Sequence, residues 1–327
     1  MAIIIAATAI TTAAVGLAIT GLDMNARYIA VAMTLVGAFV LWVGGYSFLD
    51  RMTKVFVAIL TFATVLATIL AIPAVDWSLS AFALPGLDFQ TFAFVIALMG
   101  FMPAALSLSV LQSLWVVAKA EESGRTPNKR QVMLDFNFGY ISSAVLAICF
   151  LIMGAGVMHP DAIEPAQSGA AFAGQVIGLY TSNLGEWSGI FVGVSAMMVM
   201  FTTLVTLLDG FPRTLGASAF YLASDGETPP PKLDTSAYMK IASLLLLAGA
   251  TLILLFLMRS FSDFIDFVTI TAFIVAPFTA ILNHIVMTRP TVPSQGRPGW
   301  ALQAWSLVGV VALTFLSTGY LYLLMIR

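Results

Sequence analysis

Nine apolar runs divide this chain, each about 20 residues long and so able to cross the hydrocarbon core of a bilayer, and they decide what it can fold into. They lie at 2–22, 28–48, 52–73, 91–118, 136–158, 188–209, 238–258, 263–288 and 300–325. Backbone inside lipid must satisfy its own N–H and C=O groups, which leaves helices or a closed barrel. Alternating barrel strands are absent. The expected fold is therefore all-α, a polytopic bundle of about nine transmembrane helices forming a single transmembrane domain over residues 1–327. With 9% charged and 60% apolar residues, the chain departs from the roughly 25% charged residues of soluble domains. That excludes a water-soluble globular protein, a disordered chain and a nucleic-acid binder. The first run has no basic n-region and is too long for an h-region, so it reads as a span and not as a cleaved signal.

The charges that remain sort by side. Taking the connections alternately, one set holds Arg51, Lys54, Lys119, Arg125, Lys129, Arg130, Arg213, Lys232, Lys240, Arg289 and Arg297. The other, with the C-terminus, holds Arg27, Arg259 and Arg327. A split of 11 to 3 sets the first group in the cytoplasm by the positive-inside rule. It predicts a cytoplasmic N-terminus and an outward C-terminus, in a bacterial inner membrane if the host is a bacterium. The outer connections 74–90 and 159–187 lack Lys and Arg. Their Asp76, Asp88, Asp161, Glu164 and Glu186 are either solvated surface charges or an acidic vestibule that concentrates cations. Inside, residues 212–224 are expected to form a short interfacial helix, and Pro229-Pro230-Pro231 a linker that cannot continue it.

Enzymatic motifs are missing: there is no His-Glu-x-x-His, no Gly-x-Ser-x-Gly and no phosphate-binding glycine loop. The lone Cys149 excludes an internal disulfide, and His159 and His284 are too few for a His-rich metal site. What is left is a handful of polar or helix-breaking positions within apolar spans, which are costly in lipid and hence functional candidates.

In the fourth span, Pro103 lacks an N–H, so the carbonyl of Met99 loses its helical partner. The break at Gly100-Phe101-Met102-Pro103 is either a kink packed on a neighbour or an unwound segment whose carbonyls meet a substrate. Met102 supplies a soft thioether suited to transition metals. Ser109 and Ser113, one turn apart, either line an inner path or hydrogen-bond within the bundle. Thr202 and Thr206 in the sixth span carry the same pair of readings, and Asp209 with Arg213 at i, i+4 reads as an interfacial ion pair. The eighth span holds Thr269 and Thr271 ahead of Pro277, with Asn283 and His284 beyond. It is expected to be a second proline-interrupted helix.

Met102-Pro103 followed by Ser109-Val-Leu-Gln-Ser-Leu-Trp115 resembles the sixth transmembrane helix of the natural resistance-associated macrophage protein (Nramp) family of divalent metal transporters, in a divergent bacterial branch. Asp135-Phe-Asn-Phe-Gly-Tyr140 and the segment Phe201 to Arg213 resemble the next two helices of that branch. The resemblance implies a LeuT-like fold of two inverted repeats that moves divalent cations, Mn²⁺ or Fe²⁺, by alternating access. It implies Met102 as metal ligand, Met99 as a carbonyl contributor and Thr269 as a polar ligand; Pro103, Ser109, Ser113, Thr202 and Thr206 are the path candidates read from the residues themselves. It implies no bound cofactor, the metal being substrate, and leaves the oligomeric state open. The nine spans correspond to the family's third to eleventh helices, so the chain is expected to be N-terminally incomplete relative to the family. No Asp-Pro-Gly-Asn segment occurs, Ala104 stands where typical members carry histidine, and residues 1–22 contain no Asp or Glu. Two alternatives remain open: a carrier of the same fold for Mg²⁺ or a small solute, and a truncated membrane protein that transports nothing.

Overall fold

A computed structural model describes residues 1–43, 46–78, 89–101, 108–223, 237–258, 260–294 and 296–326. Every regular element among these residues is helical: α1 (Ala2–Thr20), α2 (Ala26–Val43), α3 (Tyr46–Ala71), α4 (Phe89–Phe101), α5 (Leu108–Ser123), α6 (Lys129–Val157), α7 (Gly169–Leu184), α8 (Trp187–Ala223), α9 (Ala237–Leu252), α10 (Phe261–Thr288) and α11 (Trp300–Met325). Among the described residues, eight helices are long and apolar enough to cross a membrane. The expected fourth span is represented by α4 and α5. Met102, Pro103 and Ser107, between them, lie outside the described residues, as do Asp88, the triproline, Arg259 and Arg327.

The helices gather into two compact units. The larger contains α1–α3, α6–α9, the part of α5 from Ser113 and the first turn of α10. At its centre α1 packs on α2, α7, α8 and α9. It can do so because Ala6, Ala9, Ala13 and Ala14 are small enough to be wholly enclosed, letting neighbouring backbones approach closely. α1 runs antiparallel to α8, since Gly16 meets Met197 and Ile19 meets Gly193. Gly21 ends α1 in the left-handed region, φ 64°, its N–H donating to the Leu17 carbonyl at 2.9 Å, the usual glycine stop. The smaller unit contains α4, the start of α5, α10 from Asp266, and α11.

Three segments differ from the sequence expectation. The connection 159–187 contains α7, which begins where the Ala171 N–H donates to the Ser168 hydroxyl at 3.3 Å and ends at Gly185, φ 91°. Its Gln175 side chain folds the preceding loop back, accepting from the Ala166 N–H at 2.8 Å and donating to the Glu164 carbonyl at 2.9 Å. Residues 212–223 are not a separate interfacial helix, because α8 continues through Pro212 to Ala223. Likewise α10 runs through Pro277 without interruption. The physical reason is the same for both prolines: each forfeits one backbone hydrogen bond, whereas ending a helix in an apolar environment would strand several groups with no water to take them. Both prolines are buried among packed helices.

Candidate functional site

Two of the expected ligand positions, Met99 and Thr269, lie in the smaller unit. Fully buried Ile96 of α4 and Phe273 of α10 form a core with Tyr320 of α11. Phe89 stacks on the Tyr320 ring at 5.8 Å. This core draws the last turn of α4 onto α10 so tightly that a Cβ added to Gly100 would run into the Thr269 carbonyl oxygen, with Phe273 Cβ 3.4 Å away. Glycine is required there because the approach is backbone to backbone. Met99 and Thr269, distant in sequence, are therefore brought to one place. The Thr269 hydroxyl donates to the Asp266 carbonyl at 3.0 Å. Met102 and Pro103 lie two and three residues past Gly100, outside the described residues.

Beyond that gap the chain returns to α10. The Asn283 amide donates to the Ser109 hydroxyl at 3.0 Å, so Ser109 bonds across helices. His284, the next residue, meets the Ser306 hydroxyl of α11 through Nδ1 at 3.0 Å. Ser113 is exposed.

Thr202 and Thr206 belong to the larger unit. Their hydroxyls donate within α8, to the Val199 carbonyl at 2.9 Å and the Thr202 carbonyl at 2.8 Å. One turn on, Arg213 grips Asp209 with two bonds, Nε and Nη2 each 2.9 Å from a carboxylate oxygen, the expected ion pair in bidentate form. Sequence reasoning overlooked that Ser188, Ser195, Thr202 and Asp209 recur every seven residues and so share one face of α8; the three hydroxyl-bearing members are buried. The seven-residue spacing was the available signal.

A second buried polar group also escaped the sequence. Tyr180 of α7 sits in a core of Ala67, Ala71, Met153 and Val192, its hydroxyl 2.9 Å from Thr64 Oγ1. The Thr64 proton is donated to the Leu60 carbonyl at 2.7 Å, so Tyr180 is the donor. Past the C-terminal end of α3, Asp76 accepts from the Ser78 N–H at 2.9 Å and its hydroxyl at 3.1 Å. These bonds, with a smaller contribution from His159, hold that exposed carboxyl below the usual aspartate range. Among the described residues no three His, Cys, Asp or Glu side chains converge on a point.

Long apolar helices joined by charged connections, with neutral donors inside, define a multi-pass integral membrane protein. The chain is 30% identical over 329 aligned positions to the uncharacterized protein PM0681 of Pasteurella multocida (strain Pm70), a match covering 94% of this chain and 71% of that protein. It belongs to the same family as that protein. No protein-family model matches the chain.

Proposed function

We propose that this protein is a secondary-active transporter of divalent metal cations, Mn²⁺ or Fe²⁺, of the Nramp kind, working by alternating access in a bacterial inner membrane with its N-terminus cytoplasmic. The observation that carries the reading is the meeting of α4 with α10: Gly100, the residue after Met99, is in backbone contact with Thr269, and the resemblance implies Met99 and Thr269 as ligand positions. A LeuT-like inverted repeat, with α4 and α5 counted as one span of nine, is supported by the packing of the larger unit. There α1 pairs with α2 as α8 pairs with α9, α1 touches α9 as α2 touches α8, and α1 runs against α8. Exchanging the two pairs reproduces the pattern, as an in-plane two-fold requires.

Metal handling falls to the Met102 thioether and to backbone and threonine oxygens, a donor set that favours Mn²⁺ or Fe²⁺ over Mg²⁺. Purified protein in liposomes is expected to take up Mn²⁺, and Met102→Ala to reduce that uptake at least severalfold while Mg²⁺ in excess competes poorly. Uptake unchanged by Met102→Ala overturns the ligand role. Equal competition by Mg²⁺ redirects the reading to a hard-cation carrier on the same fold. No cation uptake by the wild-type protein rejects cation transport and leaves the small-solute carrier and the non-transporting protein.

A further inference from the structure

We propose that the larger unit binds one phospholipid, its phosphate held by Arg51 and its acyl tails laid in a groove between α3 and the start of α8.

The groove is a cavity of about 470 Å³, within the size range of sites that take small molecules. Ala58, Phe62 and Leu66 of α3 line it together with Trp187, Phe191 and Val192 of α8. Ala63, also in the lining, packs against the core of Ala67 and Tyr180, while Phe62 and Phe191 are 71% and 60% exposed. The groove therefore has a floor on the protein core and open aromatic edges. Its polar side chains are Ser188, whose hydroxyl donates to the Gly185 carbonyl at 2.8 Å, and the Trp187 indole. That is no oxygen cage for a cation, and it offers too few partners for a water, which needs 2–4. Hydrocarbon is what such walls accept. Both helices are long and apolar enough to cross a membrane, so acyl tails are the hydrocarbon at hand.

Length and charge select the lipid. The groove follows eight residues of α3, about 12 Å of rise, whereas a spanning helix of a partner would present about 30 Å. Arg51, Val55, Ala58, Phe62 and Leu66 are separated by 4, 3, 4 and 4 residues, the spacing of a single stripe on an α-helix. The stripe thus begins at a cation and continues as groove wall. Arg51 is exposed, and residues 55–72 carry no charge. From Arg51 to Leu66 is 15 residues, about 22 Å, which matches one leaflet with its headgroup at about 20–22 Å. A guanidinium suits a phosphate because it pairs with two oxygens at once. Beside the α8 wall the adjoining charge is Glu186, which is exposed and repels a phosphate. The headgroup accordingly belongs at the Arg51 end.

Native mass spectrometry of the full chain in detergent tests this, with titrations of dioleoylphosphatidylglycerol and of dioleoylglycerol, which has the same tails and no phosphate. The wild-type protein is expected to hold one phosphatidylglycerol and to prefer it to the diacylglycerol. A58W and A63L, which fill the groove, are expected to lower its affinity at least tenfold. A304W, on an exposed position of α11, leaves it unchanged. R51Q is expected to weaken phosphatidylglycerol about fivefold, the worth of one cation at a membrane surface, and to leave the diacylglycerol alone. A58W, at an exposed position, decides the matter if A63L fails to fold. Affinity untouched by the groove variants, or lowered equally by A304W, overturns the groove as the seat of the tails. Equal binding of the two lipids, or R51Q within twofold of the parent, overturns the role of Arg51. None of these readouts depends on cation transport.

Discussion

Replacing Gly100 by alanine tests the contact on which the proposed site depends. In an unobstructed helix the exchange favours alanine by about 0.5–1 kcal/mol. Here the new Cβ meets the Thr269 carbonyl oxygen, with the Thr269 carbonyl carbon at 3.0 Å. Both obstacles are backbone of a packed helix, so no flexible side chain can yield and the helices must separate. That loosens the fully buried Ile96 and Phe273. Overpacking of this kind costs about 1–3 kcal/mol, and its upper end applies where backbone is the obstacle. Setting about 3 against the alanine gain of about 1 leaves a net loss of about 2 kcal/mol. With an unfolding entropy of about 2.1 cal/mol/K for each residue, that loss lowers the Tm by about 3 °C. The matched control is Gly139→Ala in α6, where an added Cβ has nothing within 4 Å and the intrinsic preference acts alone, leaving the Tm unchanged or raised. Thermal melts of the two variants in one detergent, followed by Mn²⁺ uptake, give the comparison. If Gly100→Ala melts with Gly139→Ala and transports like the parent, α4 does not press on α10 at Thr269 and the site as described is wrong.

Two further outcomes follow from polar pairs within the larger unit. Tyr180→Phe removes a donor and leaves Thr64 still bonded to Leu60, so it is expected to cost about 1 kcal/mol. Thr64→Val strands the Tyr180 hydroxyl in the core and is expected to cost more, up to about 3 kcal/mol; melts showing the reverse order contradict the assigned donor. For Asp209 and Arg213, a double-mutant cycle with D209N and R213Q is expected to return a coupling of about 1 kcal/mol. In that cycle R213Q alone should be worse than the double variant, since it leaves the carboxylate without its guanidinium.

Much of the fold was legible in the residues. Eight of the nine expected spans appear as helices long enough to cross among the described residues, and the ion pair at Asp209 is readable from its i, i+4 spacing. The failures are instructive. Pro212 and Pro277 look like helix ends by the rules for water, where freed carbonyls find solvent; in an apolar setting the helix continues instead. The 16 residues of α7 are too few to span, so a search for spans passes over it, although Ser168 and Gly185 bracket it with an ordinary start and stop. Thr202 carries both a packing and a path reading from the sequence, and its hydroxyl is bonded within its own helix.

By itself, then, the sequence determined the class of protein, nearly all of its spans and which connections carry basic charge, because transfer from water to lipid is a property of each segment alone. It did not determine which apolar face meets protein and which meets lipid. Ala-rich α1 is largely enclosed while α11 is largely bare, yet both are simply apolar, since lipid and protein interior make the same demand on a side chain. The close approach of Gly100 to Thr269, the seat of Tyr180 under Thr64 and the hold of Asn283 on Ser109 join residues far apart in the chain. Each depends on shape and on hydrogen-bond partners that exist only once the helices have packed, and only the tertiary structure decided them.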